Sequence, residues 1–397
     1  MRLWLRPLCL WLALLLASSP AGAAAAPPVA APTYPPRAEV AAGPAISADA
    51  AVLIDARTGR LLWGRAADVA RAPASTTKMM TALVALEIGR PDEQIVVGRA
   101  AAATPGSSAG LRPGDRYTLA ALLRGLLLRS GNDAAAAIAT HLAGSETAFA
   151  ALMNARARAL GLQSTNFVNP HGLTAPYHFS SARDLALIAR AGLAVPAFAQ
   201  LVASADAEMR GWDAMQREIR RELHNTNRLL VAYDWVDGVK TGTTSAAGNC
   251  LVASGTRGGF RLIAVVLHSD DRWGDAVRLL QWGYAHFSQV PVAPPGGRAL
   301  LPVADARQPG AQVPAVPQFT ESMPVALDEL PRLWWRVVVP SGLQAPVHPG
   351  EVVGRVNLQV AGTTLASMPL VAQVAVQRAA PWVLLLRRVG LLRGSRQ

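Results

Sequence analysis

Pro73-Ala74-Ser75-Thr76-Thr77-Lys78-Met79-Met80 is the stretch from which the rest of the chain can be read. The 397-residue sequence holds 38 Lys and Arg residues, and only Lys78 and Lys240 among them are lysines. A chain so biased uses Arg wherever a positive surface charge will serve. Lys is kept where the chemistry needs a cation that can lose its proton, which a guanidinium cannot. The two lysines stand in Ser75-x-x-Lys78 and Lys240-Thr241-Gly242, settings that share a mechanism. After Ser75, Met79, Met80, Leu83, Val84 and Leu86 recur at helical spacing with few polar residues on any side. This predicts a buried helix that starts at Ser75, with serine as its cap.

Acyl transfer needs a nucleophile, a base and donors for the developing oxyanion. Ser75 at a helix start sets a hydroxyl where unpaired backbone N–H groups and the helix dipole favour negative charge. Lys78 follows one turn along the same face. In a buried site with Lys240 nearby, desolvation and like charge both depress Lys78, so that its neutral amine takes the Ser75 proton. Ser130-Gly131-Asn132 adds a second hydroxyl, suited to pass a proton to a leaving amine, and an amide suited to hold the substrate's backbone. That tripeptide alone is also ordinary loop chemistry. Lys240-Thr241-Gly242 on an edge strand lets an extended peptide lie alongside. Lys240 and Thr241 suit a carboxylate, Gly242 allows close approach, and the N–H groups of Ser75 and Thr243 are candidates for the oxyanion hole.

The length and a hydrophobic content of 51% suffice for two domains. Arg2 and Arg6, the apolar run Leu8 to Leu16 and Ala21-Gly22-Ala23 read as a secretory signal over 1–23, or alternatively as an uncleaved anchor. Cys9 leaves with a cleaved signal, and Cys250, in an apolar strand, then stays unpaired and packed. Residues 24–45 form an Ala- and Pro-rich linker. The first domain, 46–290, opens with a hairpin around the turn Ala56-Arg57-Thr58-Gly59. A short strand at 94–97, a loop over 101–116 and helices over 117–128 and 134–142 follow, then helix and loop to about 232. Strands at 249–254 and 260–267 and a helix over 273–287 close the domain. From Pro291 the texture turns to Pro, Val and Gly with short alternating runs, the signature of a small all-β domain over 291–380. The tail, 381–397, mixes apolar residues with Arg387, Arg388, Arg393 and Arg396, and reads either as an interfacial membrane anchor or as a disordered basic tail.

A formal charge of +12 raises nucleic acid as a partner, but the arginines are spread along an exported chain, and an anionic cell envelope is the simpler partner. Seven scattered His without close spacing argue against a metal site, and no Gly-rich phosphate loop is present, so no cofactor is expected. Gly106-Ser107-Ser108-Ala109-Gly110 fits the elbow of an α/β-hydrolase, yet it lacks the strand before and the helix after that such an elbow requires.

The ordered trio of Ser-x-x-Lys, Ser-Gly-Asn and Lys-Thr-Gly resembles the penicillin-binding proteins and class A β-lactamases. The blocks 73–81, 128–134, Asn169-Pro170-His171-Gly172-Leu173, 181–185 and 237–254 are similar to those of low-molecular-mass serine D-alanyl-D-alanine carboxypeptidases. The resemblance implies an α/β (α+β) catalytic domain, an antiparallel sheet flanked by helices, with a β-rich second domain and an anchoring tail. It implies removal of the terminal D-alanine from peptidoglycan pentapeptides through an acyl-enzyme on Ser75, and acylation by β-lactams. The signal places the action in the extracytoplasmic cell envelope, either free or attached to the outer face of the cytoplasmic membrane through the tail. Arg272, just before the last helix, is then a further carboxylate ligand or else a solvated surface residue. Thr243 departs from the larger His or Tyr of relatives, which leaves the oxyanion N–H in place and bears on substrate preference. A β-lactamase needs an added Glu base, and Glu222-Leu223-His224-Asn225 does not match the usual pattern. A non-catalytic sensing module would have no need of Ser75, Lys78, Ser130 and Lys240 together.

Overall fold

The computed structural model describes residues 43–294, 296–339 and 342–392. The expected signal at 1–23, the linker up to residue 42 and the last five residues of the tail lie outside the described residues.

Ala50–Asp55 is buried along its whole length because both faces of its sheet are covered. Ala50, Val52 and Ile54 face a core shared with the helices Lys78–Ile88, Leu119–Leu127, Asn132–Ala143 and Ala182–Leu193. Ala51 and Leu53 face a second core, closed by the helix Arg272–His286. The sheet is antiparallel in the order Leu61–Arg65, Ala50–Asp55, Phe260–Leu267, Gly248–Arg257, Val236–Thr244. The N-terminal hairpin therefore joins the strands expected near 249–267. The strand that carries Lys240 is left at the edge.

The buried helix begins later than its periodicity implied. Ala74–Thr77 is a 3-10 turn, and the α-helix Lys78–Ile88 starts at the lysine itself. Ser75 is not its cap; that position is Thr77, whose side chain makes no capping bond. The turn is held by Thr76, whose hydroxyl donates to Pro73 O at 2.6 Å. A cap would have spent the Ser75 hydroxyl on backbone N–H groups. The turn leaves it free for Lys78.

Two regions differ from the expected helix and loop. Tyr117 ends a loop as part of the strand Arg116–Thr118, and the helix follows at Leu119–Leu127. Asp206–Trp212 and Glu218–His224 form a hairpin in a four-stranded sheet with Gln94–Val96 and Arg116–Thr118. Its outward positions are occupied by Asp, Glu, Arg and His, with Trp212 the exception, so alternation is written in charge more than in apolar residues.

The C-terminal region is an all-β unit. Its five-stranded sheet runs Ala299–Pro302, Gln312–Pro317, Thr363–Ala372, Val352–Val360, Leu333–Val338, over a core that includes Val313, Val353 and Leu358. Phe287–Pro291, continuing from the last catalytic-domain helix, pairs with Ser322–Ala326. Arg57 reaches Glu321 at 2.6 Å and Arg60 donates to Pro324 O at 2.5 Å, so the first hairpin is tied to this ladder.

Candidate active site

Three elements converge on Lys78. The 3-10 turn supplies Ser75, the N-terminus of the helix Asn132–Ala143 supplies Asn132, and the loop 169–173 supplies a backbone carbonyl. Lys78 is fully buried, and its Nζ lies 2.9 Å from Ser75 Oγ, 2.6 Å from Asn132 Oδ1 and 2.6 Å from His171 O. Burial pushes its pKa well down, and the nearby Lys240 pushes the same way, while Asp133 opposes them.

Asn132 is held at both ends of its amide. Its Nδ2 donates to Pro105 O at 2.6 Å, and since that partner only accepts, Oδ1 must be the atom facing Lys78. The sequence reading gave this amide to the substrate's backbone; the structure gives its oxygen to Lys78. Asp133 beside it accepts from Ala109 N, Leu111 N and the Ser108 hydroxyl, which clamps the Gly106–Gly110 loop at the rim. Ser130 is buried with φ +60°, a left-handed conformation that costs a serine free energy, and among the described residues its Oγ has no hydrogen-bond partner.

The Lys240 strand presses against the nucleophile turn. A Cβ on Gly242 would stand 3.1 Å from Pro73 O and 3.1 Å from Ser75 N, so a side chain there would require the turn to give by a few tenths of an ångström. Lys240 is buried, and its Nζ donates to Thr241 O at 3.2 Å. Burial and the Arg272 charge draw its pKa to about 7. Arg272 Nη1 donates to Thr243 Oγ1 at 2.7 Å and to Gly242 O at 3.1 Å, with its guanidinium 4.7 Å above the Trp273 ring. Arg272 is thus docked on the Lys240 strand rather than solvated at the surface. Thr241 Oγ1 lies 2.8 Å from Thr226 Oγ1, a neighbour that sequence reading had not singled out.

The loop 169–173 was also missed as a functional element. Asn169 Oδ1 accepts from the N–H groups of His171 and Gly172, and Thr81 Oγ1 donates to Pro170 O. Gly172, at φ +88°, lies so close that a Cβ there would overlap Ala74 O and come within 3.0 Å of Ser75 N. The Asn-Pro-x-Gly run signalled a turn, but nothing in it signalled a carbonyl aimed at an amine.

A serine beside a buried, depressed lysine, with a second cation at a sheet edge, defines a serine hydrolase that works through an acyl-enzyme. The family model described as D-alanyl-D-alanine carboxypeptidase matches residues 37–271, and one described as the C-terminal domain of penicillin-binding protein 5 matches 308–378. The D-alanyl-D-alanine carboxypeptidase DacF of Bacillus subtilis is 31% identical over 356 residues, covering 86% of this chain and 89% of its own length. DacA of Escherichia coli is 36% identical over 345 residues, covering 83% of each. The crystal structure of penicillin binding protein 5 from Haemophilus influenzae superposes with a TM-score of 0.71 at 30% identity, covering 85% of this chain and all of that one. The chain belongs to the D-alanyl-D-alanine carboxypeptidase family of serine peptidases.

Proposed function

We infer that this protein removes the terminal D-alanine from peptidoglycan pentapeptide stems through an acyl-enzyme on Ser75, and that penicillins acylate the same hydroxyl. The observation that carries this reading is the triple coordination of Lys78 Nζ. A neutral amine has two N–H groups and one lone pair. With the N–H groups on Asn132 Oδ1 and His171 O, the lone pair is left for the Ser75 hydroxyl, and Lys78 acts as the base. Ser75 Oγ attacks the carbonyl of the penultimate D-alanine while its proton passes to Lys78. The oxyanion is received by the backbone N–H groups of Ser75 and Thr243, which the missing side chain of Gly242 allows to lie close together. The C–N bond breaks as the leaving amine takes a proton by way of Ser130, whose free Oγ suits a relay. Water then cleaves the ester and releases the shortened stem.

Lys240, Thr241 and Arg272 bind the terminal carboxylate. Because Lys240 rests at about 7 in the empty site, a bound carboxylate raises it and draws a proton in. KM for a peptide ending in D-Ala-D-Ala should therefore rise as pH passes above about 7, where the free site loses that charge. Lys240→Arg keeps its charge at every pH, so steady-state kinetics should show a flatter KM profile and a kcat/KM within about tenfold of wild type. An equal collapse of kcat at all pH values would mean that Lys240 does more than bind a carboxylate.

Residues 46–290 carry the reaction and 291–380 form the β-rich second domain. The signal over 1–23 exports the chain, and the tail holds it at the outer face of the cytoplasmic membrane. Among the described residues, no single helix is long and apolar enough to cross a bilayer. The helix Pro381–Arg388 instead exposes Trp382 and Leu385, with Val389 and Leu391 beyond it, which suits contact with a membrane surface. The function is tested by intact mass after brief exposure to penicillin, alongside D-alanine release from a Lys-D-Ala-D-Ala peptide. A lasting adduct on Ser75 with D-alanine released is expected. Rapid penicillin hydrolysis without an adduct would make the protein a β-lactamase, and an adduct without D-alanine release would make it a sensor.

A further inference from the structure

We propose that His178 is a positioning residue for acyl transfer: its neutral imidazole rivets the nucleophile turn to the loop whose carbonyl orients the Lys78 amine. The proposal rests on the reading of Lys78 as the base. His178 is buried, and its two ring nitrogens serve two different elements. Nδ1 lies 3.1 Å from Val168 N, which can only donate, so Nδ1 carries no proton. The proton is then on Nε2, which donates to Thr77 Oγ1 at 2.9 Å. Thr77 immediately precedes Lys78, and Val168 opens the run to Asn169, Pro170 and His171. The imidazole therefore spans from the residue before the base to the loop that supplies one of its two carbonyl partners.

The same segment has other restraints, among them the backbone bridge between Asn166 and Phe179. Thr81 holds Pro170 O, and Asn154 holds Phe167 through both its backbone groups. Phe167 in turn meets the imidazole edge-on, with ring centroids 5.8 Å apart. A rigid ring with a donor and an acceptor at separate corners fits this place, and a second ring proton would point at the Val168 N–H. Burial, and then His171 nearby, hold the His178 pKa at about 4, so the rivet stays neutral at neutral pH. The ionisable groups acting on Lys78 itself are Lys240 from the edge strand and Asp133 from the helix N-terminus. Near the imidazole stands His171, paired at 3.1 Å with Glu146.

Loosening the loop withdraws the His171 carbonyl, lets the amine turn from Ser75 and admits water to it. The first effect slows acylation; the second returns Lys78 toward its ordinary basicity. The test is the pH dependence of penicillin acylation, normalised to the fraction of chains that finally carry an adduct. His178→Phe should slow acylation about tenfold or more and move the midpoint of its rise with pH upward by about one pH unit. His178→Asn, whose Oδ1 can still accept from Val168 N–H, should recover much of both. A slower rate with the wild-type midpoint would reduce His178 to a structural residue, and an unchanged rate and midpoint would remove it from the reaction. If His178→Phe yields no folded protein, Thr77→Val breaks the other end of the same bond. An upward midpoint supports the rivet there, and an unmoved one overturns it. Failure of the base reading has a separate signature, near-normal acylation in Lys78→Arg.

Discussion

Lys78→Arg should abolish useful acylation although it keeps a long cationic side chain at the same place. The expected loss of the acylation rate is roughly 10³-fold, within the range that a positioned base contributes. On the proposed reading Lys78 works because it can be neutral: burial and Lys240 both depress it, and its two N–H groups are taken by Asn132 Oδ1 and His171 O. A guanidinium stays charged, offers no lone pair and would place its rigid fork against Ser75. Its charge would also remain buried beside Lys240. Penicillin adduct formation followed by mass over time checks this, with circular dichroism to show that the variant is folded. Near-normal turnover would end the assignment of Lys78 as base.

Gly172→Ala should be nearly as damaging, although residue 172 contributes no functional group. The added methyl would overlap Ala74 O and stand 3.0 Å from Ser75 N. Neither neighbour is a flexible side chain, so relief requires the nucleophile turn or the loop 169–173 to move. The φ of +88° adds strain of its own for an L residue. A displacement of 1 Å at the reacting atoms is worth about 10²-fold in rate, which is the loss expected in acylation. The melting temperature should fall as well. A variant with wild-type acylation would mean that the turn and loop can separate without cost, and would weaken the case for the loop as a support of the base.

How much of this was legible beforehand depends on the kind of group involved. Ser75, Lys78, Ser130, Lys240 and Gly242 could be picked out as candidates because each proposed role needs a particular side chain, or needs none. The scarcity of lysine made two of them stand out further. The sheet was legible from the continuous apolar runs at 51–54 and 262–267, which are rich in Val, Ile and Leu as a strand covered on both faces is. The carbonyl of His171 was not legible, since every residue has one and its direction is set by the turn that Asn169 holds. The contact of Asn132 Oδ1 with Lys78 was not legible either, because an amide can serve a substrate, a neighbour or both. The hairpin Asp206–His224 was hidden by the charges on its outward face, and the start of the first long helix was misplaced because a 3-10 turn and an α-helix share their early periodicity.

The burial of both lysines leaves this protein without an ε-amino group on its surface. Reagents that seek primary amines, such as aldehydes, activated esters and amine-coupling resins, meet no ordinary lysine outside the cleft. Isotope-labelled methyl groups introduced by reductive alkylation would report on ε-amines at only two places, both within the reactive centre. What in most proteins is a crowded background becomes here a direct view of the proposed base and the proposed carboxylate-binding cation. The same property warns that immobilising the protein through lysine would proceed slowly and at the expense of the groups that make it an enzyme.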